Sequence, residues 1–85
     1  MNIRIRYFAS VRETLGLAEE SIVLPACVNT VGAVRDFLMQ RGTPWDAVLG
    51  VHRSLRMAYN QEMADLQTTI AEGGEVAFFP PVTGG

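Results

Sequence analysis

The chain has 85 residues and a net charge of −2; 48% of its residues are hydrophobic and 19% charged. That length makes one domain with a thin core, burying roughly 60–65% of its unfolded surface, and the apolar content excludes wholesale disorder. The absence of a basic block excludes nucleic acid as the main partner, and no apolar run approaches the ~20 residues of a membrane span.

Asn2–Phe8 reads NIRIRYF, with Ile3, Ile5 and Tyr7 alternating with Arg4 and Arg6. This period of two is that of a half-buried strand. With the odd positions facing the core, Phe8 faces outward alongside the two arginines. Ala9–Glu20 leads to the next strand, and Ser10 is a candidate cap for a helical turn over Val11–Leu15. Ile22 and Leu24 alternate around Val23 until Pro25 stops the run, which predicts a second strand paired with the first.

Thr30 is the candidate N-cap of the main helix. Val31, Val34, Phe37, Leu38 and Arg41 follow at helical spacing, the first four forming an apolar stripe, and Gly42-Thr43-Pro44 ends the helix. Trp45, Val48 and Leu49 predict a short helical turn before Gly50. Leu55, Met57 and Tyr59 predict a third strand, Asn60-Gln61 a turn, and Glu62–Asp65 a brief strand, with Leu66 and Ile70 as core anchors. Glu72-Gly73-Gly74 predicts a tight turn into a last strand, Glu75–Phe79. There Val76 and Phe78 share one face while Ala77 and Phe79 share the other.

The order strand, strand, helix, strand, short strand, strand predicts an α+β domain over residues 1–79. It is a mixed sheet of about five strands with one main helix packed across it, the β-grasp arrangement of ubiquitin-like proteins. The single cysteine, Cys27, forms no internal disulfide, redox pair or thiolate cluster. It excludes a β-grasp iron–sulfur ferredoxin and, with no leader peptide apparent, predicts a cytoplasmic protein. Cys27 itself reads as a small packing residue, and the lone His52 as a loop or surface residue. All seven basic residues are arginines, so no side-chain amine is available for acylation by a copy of the chain.

Residues 80–85 form a tail, Pro80-Pro81-Val82-Thr83-Gly84-Gly85. The prolines favour extended backbone, so six residues reach up to roughly 20 Å. The two glycines lack a Cβ, which leaves the tip thin enough for a narrow channel. The payload is the carboxylate of Gly85. It is a poor electrophile until AMP is transferred to it from ATP, after which a thiolate or persulfide can attack the acyl-adenylate. The competing reading is a disordered tail that ends in Gly-Gly by chance.

Three segments carry a family resemblance: Phe8-Ala9-Ser10-Val11-Arg12-Glu13 with Gly16 after it, Asn60-Gln61, and the run from Glu72 to Gly85. On these the chain resembles the small, sulfur-carrying subunit of molybdopterin synthase over essentially its whole length. One departure is Gly74, where that family usually has Asp. The resemblance implies that an ATP-dependent activating enzyme adenylates Gly85 and that a sulfur-transfer system makes it a thiocarboxylate. The tail then enters the large synthase subunit, in a complex that is typically a heterotetramer, and donates sulfur to cyclic pyranopterin monophosphate. The large subunit would supply the catalytic side chains, in keeping with a sequence that shows no acid–base or nucleophile constellation. No cofactor is implied beyond the ATP consumed at activation, and no metal.

Strand parity places Phe8 and Phe79 on the face opposite the expected core, on strands that neighbour each other in a β-grasp sheet, with Met63 in the short strand. They make a candidate apolar docking patch beside the tail, and the resemblance implies that both partners use it. Arg12 is a candidate polar contact at its margin. The other readings are a carrier for thiamine biosynthesis or tRNA thiolation, and an interaction module that never carries sulfur.

Overall fold

A computed structural model of the chain describes residues 1–50 and 54–81. Its elements run β1 (Asn2–Tyr7), α1 (Ala9–Leu15), β2 (Glu19–Val23), α2 (Val31–Met39), α3 (Trp45–Leu49), β3 (Arg56–Tyr59), β4 (Glu62–Ala64) and β5 (Glu75–Phe79). The strands form one sheet in the order β2-β1-β5-β3-β4. β1 and β5 are parallel; every other pairing is antiparallel. The mixed five-strand sheet is as expected, and α2 is the longest helix at nine residues.

Alternation decides which face of the sheet is covered. Ile3, Ile5 and Tyr7 of β1 and Val76 and Phe78 of β5 are buried. They form one cluster with Val31, Val34 and Leu38, the stripe of α2. Each such side chain contributes about 1.5–3 kcal/mol when removed from water. Phe78 sits at the centre, stacked on Tyr7 at 6.3 Å between ring centroids, so Phe78→Ala would cost roughly 3–5 kcal/mol.

The start of α2 shows how sequence sets this layer. A helix leaves its first amides without intrahelical partners. Here the Val31 amide donates to the Thr68 carbonyl (2.9 Å) and the Gly32 amide to the Leu66 carbonyl (2.8 Å). The Ala33 amide donates to Thr30 Oγ1 (3.1 Å), so Thr30 is the cap expected. Gly32 is needed for this closure, because a Cβ there would lie 2.8 Å from the Leu66 oxygen.

Three expectations fail locally. Ser10 does not cap α1. The N-cap is Phe8, in extended backbone, and its carbonyl accepts from both the Val11 (3.1 Å) and Arg12 (3.3 Å) amides. Leu66 is not a core anchor: its backbone is engaged by Gly32 while its side chain stays exposed, and Ile70 alone is buried there. Cys27 is exposed rather than packed, since Val28 beside it takes the core position. His52 lies outside the described residues.

A closed ring of four side chains ties the β1–β2 edge to the end of α2 and to α3. The Tyr7 hydroxyl donates to Glu20 Oε2 (2.8 Å), and Arg41 donates to both Glu20 oxygens (2.8 and 3.0 Å). The Arg41 guanidinium then lies 4.4 Å over the Trp45 ring, which meets Tyr7 edge-on at 5.6 Å. Burial and the bond to Glu20 push the Tyr7 hydroxyl well above its ordinary range. Burial alone would raise the Glu20 carboxyl, but the hydrogen bonds from Arg41 and Tyr7 outweigh it and hold the group below its usual value.

Candidate functional site

The other face of the sheet carries no helix among the described residues. Strand register sets what lies on it. Arg6 stands opposite Ala77, Ala77 opposite Ala58, and Ala58 opposite Met63, one row across four strands. The two alanines are nearly covered, at 7% and 9% exposure, whereas Met63 is 67% exposed. Small residues in the middle therefore make a shallow floor between taller neighbours.

The next row lies at the edge of the sheet where β1 and β5 end. Phe8, 37% exposed, extends β1 by one residue: its amide donates to the Phe78 carbonyl at 3.2 Å. Its ring is thus on the open face beside Phe79, which is half-buried and stands opposite Arg56. The Arg6 guanidinium lies 5.0 Å over the Phe8 ring, and its Nε is 3.9 Å from a Glu19 carboxylate oxygen. Such stacking holds the long side chain across the aromatic face while its charge stays near water. Arg12 is exposed on α1, bonded to Phe8 through the backbone alone.

The structure therefore places Phe8 and Phe79 together at one sheet edge, with Met63 across the alanine floor and Arg12 one helical turn from Phe8. Ala77 shares the face of Phe79, as alternation along β5 predicts, and the pairing of β5 with β3 brings Ala58 beside it. Arg6 and Arg56 are the added polar rim.

The tail leaves from this same edge. β5 is the middle strand of five and ends at Phe79. Being parallel to β1 and antiparallel to β3, it brings its last residue beside the end of β1 and the start of β3. Pro80 and Pro81 follow, both half-buried. Val82, Thr83, Gly84 and Gly85 lie outside the described residues. Among the described residues, the groups whose ionisation is displaced lie elsewhere: the Tyr7–Glu20–Arg41 ring on the covered side, and Glu72, lowered by the Asn2 amide it accepts at 2.9 Å. Among the described residues, no helix is long and apolar enough to cross a membrane.

The sequence model of the ThiS family matches residues 5–85. The chain belongs to the ThiS family. A curated relative, the molybdopterin synthase sulfur carrier subunit of Haemophilus influenzae, is 39% identical over 83 residues, covering 98% of this chain and 99% of the relative. Among solved structures, SAMP1 of Haloferax volcanii superposes with a TM-score of 0.76 at 26% identity, each chain covered in full. A chain from the complex of subunits 1 and 2 of the Helicobacter pylori molybdopterin-converting factor superposes with a TM-score of 0.69 at 23% identity, also over both whole chains. The fold is thus the ubiquitin-like β-grasp of the ThiS family, and the match to the family runs through the four residues that end the tail.

Proposed function

We propose that the chain is the sulfur-carrying small subunit of a molybdopterin synthase and works through the carboxyl group of Gly85. The observation that carries this reading is the full-length similarity to the sulfur carrier subunit of Haemophilus influenzae. It extends over the domain and the tail alike, so the payload and the scaffold that presents it belong together. The domain carries no catalytic side chains of its own; its part is to dock and to deliver.

In the reaction, an ATP-dependent activating enzyme transfers AMP to the Gly85 carboxylate and releases pyrophosphate. A persulfide of the sulfur-transfer system attacks the mixed anhydride and AMP leaves; a thiol then cleaves the resulting acyl disulfide, giving the thiocarboxylate and a disulfide. The charged tail enters the large subunit, where the sulfur passes to cyclic pyranopterin monophosphate on the way to the dithiolene of molybdopterin. Phe8, Phe79, Met63 and Arg12 form the surface that both partners engage. The thin residues Gly84 and Gly85, preceded by Val82 and Thr83, thread the channel. The working compartment is the cytoplasm.

Support for this arrangement comes from the sheet. Apolar side chains beside an alanine floor, rimmed by Arg6 and Arg56, make a surface suited to protein association. The tail departs from its margin, so a partner held on the face receives the tail without a further search. The test is the intact mass of the purified chain after incubation with ATP, an activating enzyme and a sulfur source. The expected product differs by the exchange of one oxygen for sulfur and maps to Gly85. A chain that stays unmodified while a known sulfur carrier is converted in the same mixture would remove the reading.

A further inference from the structure

Two arginines of this chain are placed alike. Each lies over an aromatic ring, Arg41 at 4.4 Å from the centre of Trp45 and Arg6 at 5.0 Å from that of Phe8, and each stands beside a glutamate of β2. Arg41 completes the arrangement: its two terminal nitrogens donate to both oxygens of Glu20, at 2.8 and 3.0 Å. Arg6 leaves it open. Its Nε is covered and makes no hydrogen bond, and the Glu19 oxygen 3.9 Å away is too distant to accept one. Among the described residues no acceptor meets its terminal nitrogens, and the side chain is 40% exposed on the open face of the sheet.

A guanidinium carries its N–H donors in a planar fork that fits both oxygens of one carboxylate. Stacking on Phe8 orders this fork before a partner arrives, so less freedom is lost on pairing. Arg4 and Arg56 share the face by register, but among the described residues no ring or carboxylate holds either of them. We propose that Arg6 is a specificity-determining residue of the docking face, and that its open fork takes a carboxylate side chain of the large subunit. The proposal rests on the partner reading above.

The surroundings of Arg6 define what that partner must offer. Ala77 stands opposite Arg6 and Ala58 opposite Ala77, so no tall side chain shields the fork from that direction. Met63 closes the row three strands away, roughly 14 Å at the usual strand spacing. The matching patch on the partner is an apolar surface that fills the alanine floor, with an Asp or Glu at the end that meets Arg6. Filling the floor excludes water, and the pair strengthens as the local dielectric falls. A partner with no acid there would bury a guanidinium short of acceptors, a penalty that falls on wrong partners alone.

Calorimetric titration of the large subunit with the chain in its carboxylate form tests this. Arg6→Met keeps an apolar stem over Phe8 and removes the fork; it should bind about tenfold or more weakly. Arg6→Lys keeps the charge without the fork and should recover only part of the loss. Arg4→Met, on the same face with no ring beneath it, should stay within about threefold of wild type. All three should melt close to the wild type, since an exposed ion pair adds little to stability. Replacing the large subunit's acids one at a time by their amides should find one whose loss weakens binding of the wild type and leaves that of Arg6→Met unchanged.

Arg6→Met binding like the wild type, or losing no more than Arg4→Met, would overturn the proposal. So would a loss to which no acid of the large subunit is coupled, which would give the fork another occupant, this chain's own C-terminal carboxylate included. Either result leaves the sulfur-carrier reading standing, because the wild type still docks. A wild-type chain that does not bind the large subunit would remove the partner reading, and the role of Arg6 with it.

Discussion

The Phe8 amide donates to the Phe78 carbonyl one step beyond the last paired residues of β1 and β5. That single bond carries Phe8 onto the open face of the sheet, next to the residue from which the tail departs. The Phe8 carbonyl in turn accepts the Val11 and Arg12 amides of α1. Phe8 thus extends a strand, starts a helix and leaves its ring exposed on the open face, and the three are compatible because its backbone is extended at that point.

Phe79→Ala is expected to weaken binding of the large subunit by about thirtyfold or more, about 2 kcal/mol, the usual cost of truncating a central aromatic anchor. Its effect on the melting temperature should be small, since the ring is only half-buried. Calorimetric titration and a thermal melt on the same preparation separate the two effects. Unfolding of the free domain would place Phe79 in the core instead.

Gly74 is buried at the start of β5, and a Cβ built on it would fall 2.6 Å from Tyr59 Cε1. The Tyr59 hydroxyl meanwhile accepts the Ala71 amide at 2.8 Å. Gly74→Ala must push the ring off this amide, at a cost of about 1–3 kcal/mol. Chemical denaturation should show it, and Tyr59→Ala should relieve most of the added penalty, because the clash has one partner. A Gly74→Ala variant as stable as wild type would mean that the ring moves freely.

The Glu20 carboxyl is held below the ordinary glutamate value by Arg41 and Tyr7 against the opposing effect of burial. A depressed folded value contributes stability that is complete above the unfolded glutamate value, about 4.3, and is lost as pH falls through the lower folded value. Glu20→Gln should therefore lower stability at neutral pH by about 1–2 kcal/mol, less than a fully buried network would lose. Its stability should also vary less with pH in the acid range than that of the wild type. Thermal melts between neutral pH and strong acid check both statements; parallel curves for the two proteins would contradict them.

Deleting Gly85 should leave the melting temperature unchanged and abolish thiocarboxylate formation, because no equivalent carboxyl stands at the same reach. Gly84→Val should also fold, yet activate or transfer at least about tenfold more slowly, since a branched Cβ widens the thread where a channel has to close on backbone. Mass analysis after activation and single-turnover transfer read the two variants.

The strands and α2 were legible because their cues are local. Alternation at Ile3, Ile5 and Tyr7, the stripe at Val31, Val34 and Leu38, and Asn60-Gln61 with both residues at positive φ each involve neighbours in sequence. The misread positions depend on distant partners. Leu66 reads as an anchor in the sequence, but its carbonyl serves α2 through the Gly32 amide and its side chain stays exposed. Ser10 reads as a cap in the sequence, although Phe8, two residues earlier, takes that place. The Tyr7–Glu20–Arg41–Trp45 ring joins residues that only the pairing of β1 with β2 and the crossing of α2 bring together. Phe8 and Phe79 could be assigned to one face by parity, but placing Met63 on that face and finding the alanine floor required the strand order.

The most direct measurement uses thiocarboxylated protein mixed with the large subunit of molybdopterin synthase and cyclic pyranopterin monophosphate, with no ATP present. Activation has already been driven by ATP, so transfer should need only docking and the partner's catalytic groups, and molybdopterin should form in amounts limited by the thiocarboxylate supplied. A parallel reaction with a thiazole synthase should yield no thiazole, because the surface beside the tail selects the channel that receives it. Thiazole without molybdopterin, or no product from a fully thiocarboxylated chain, would contradict the account.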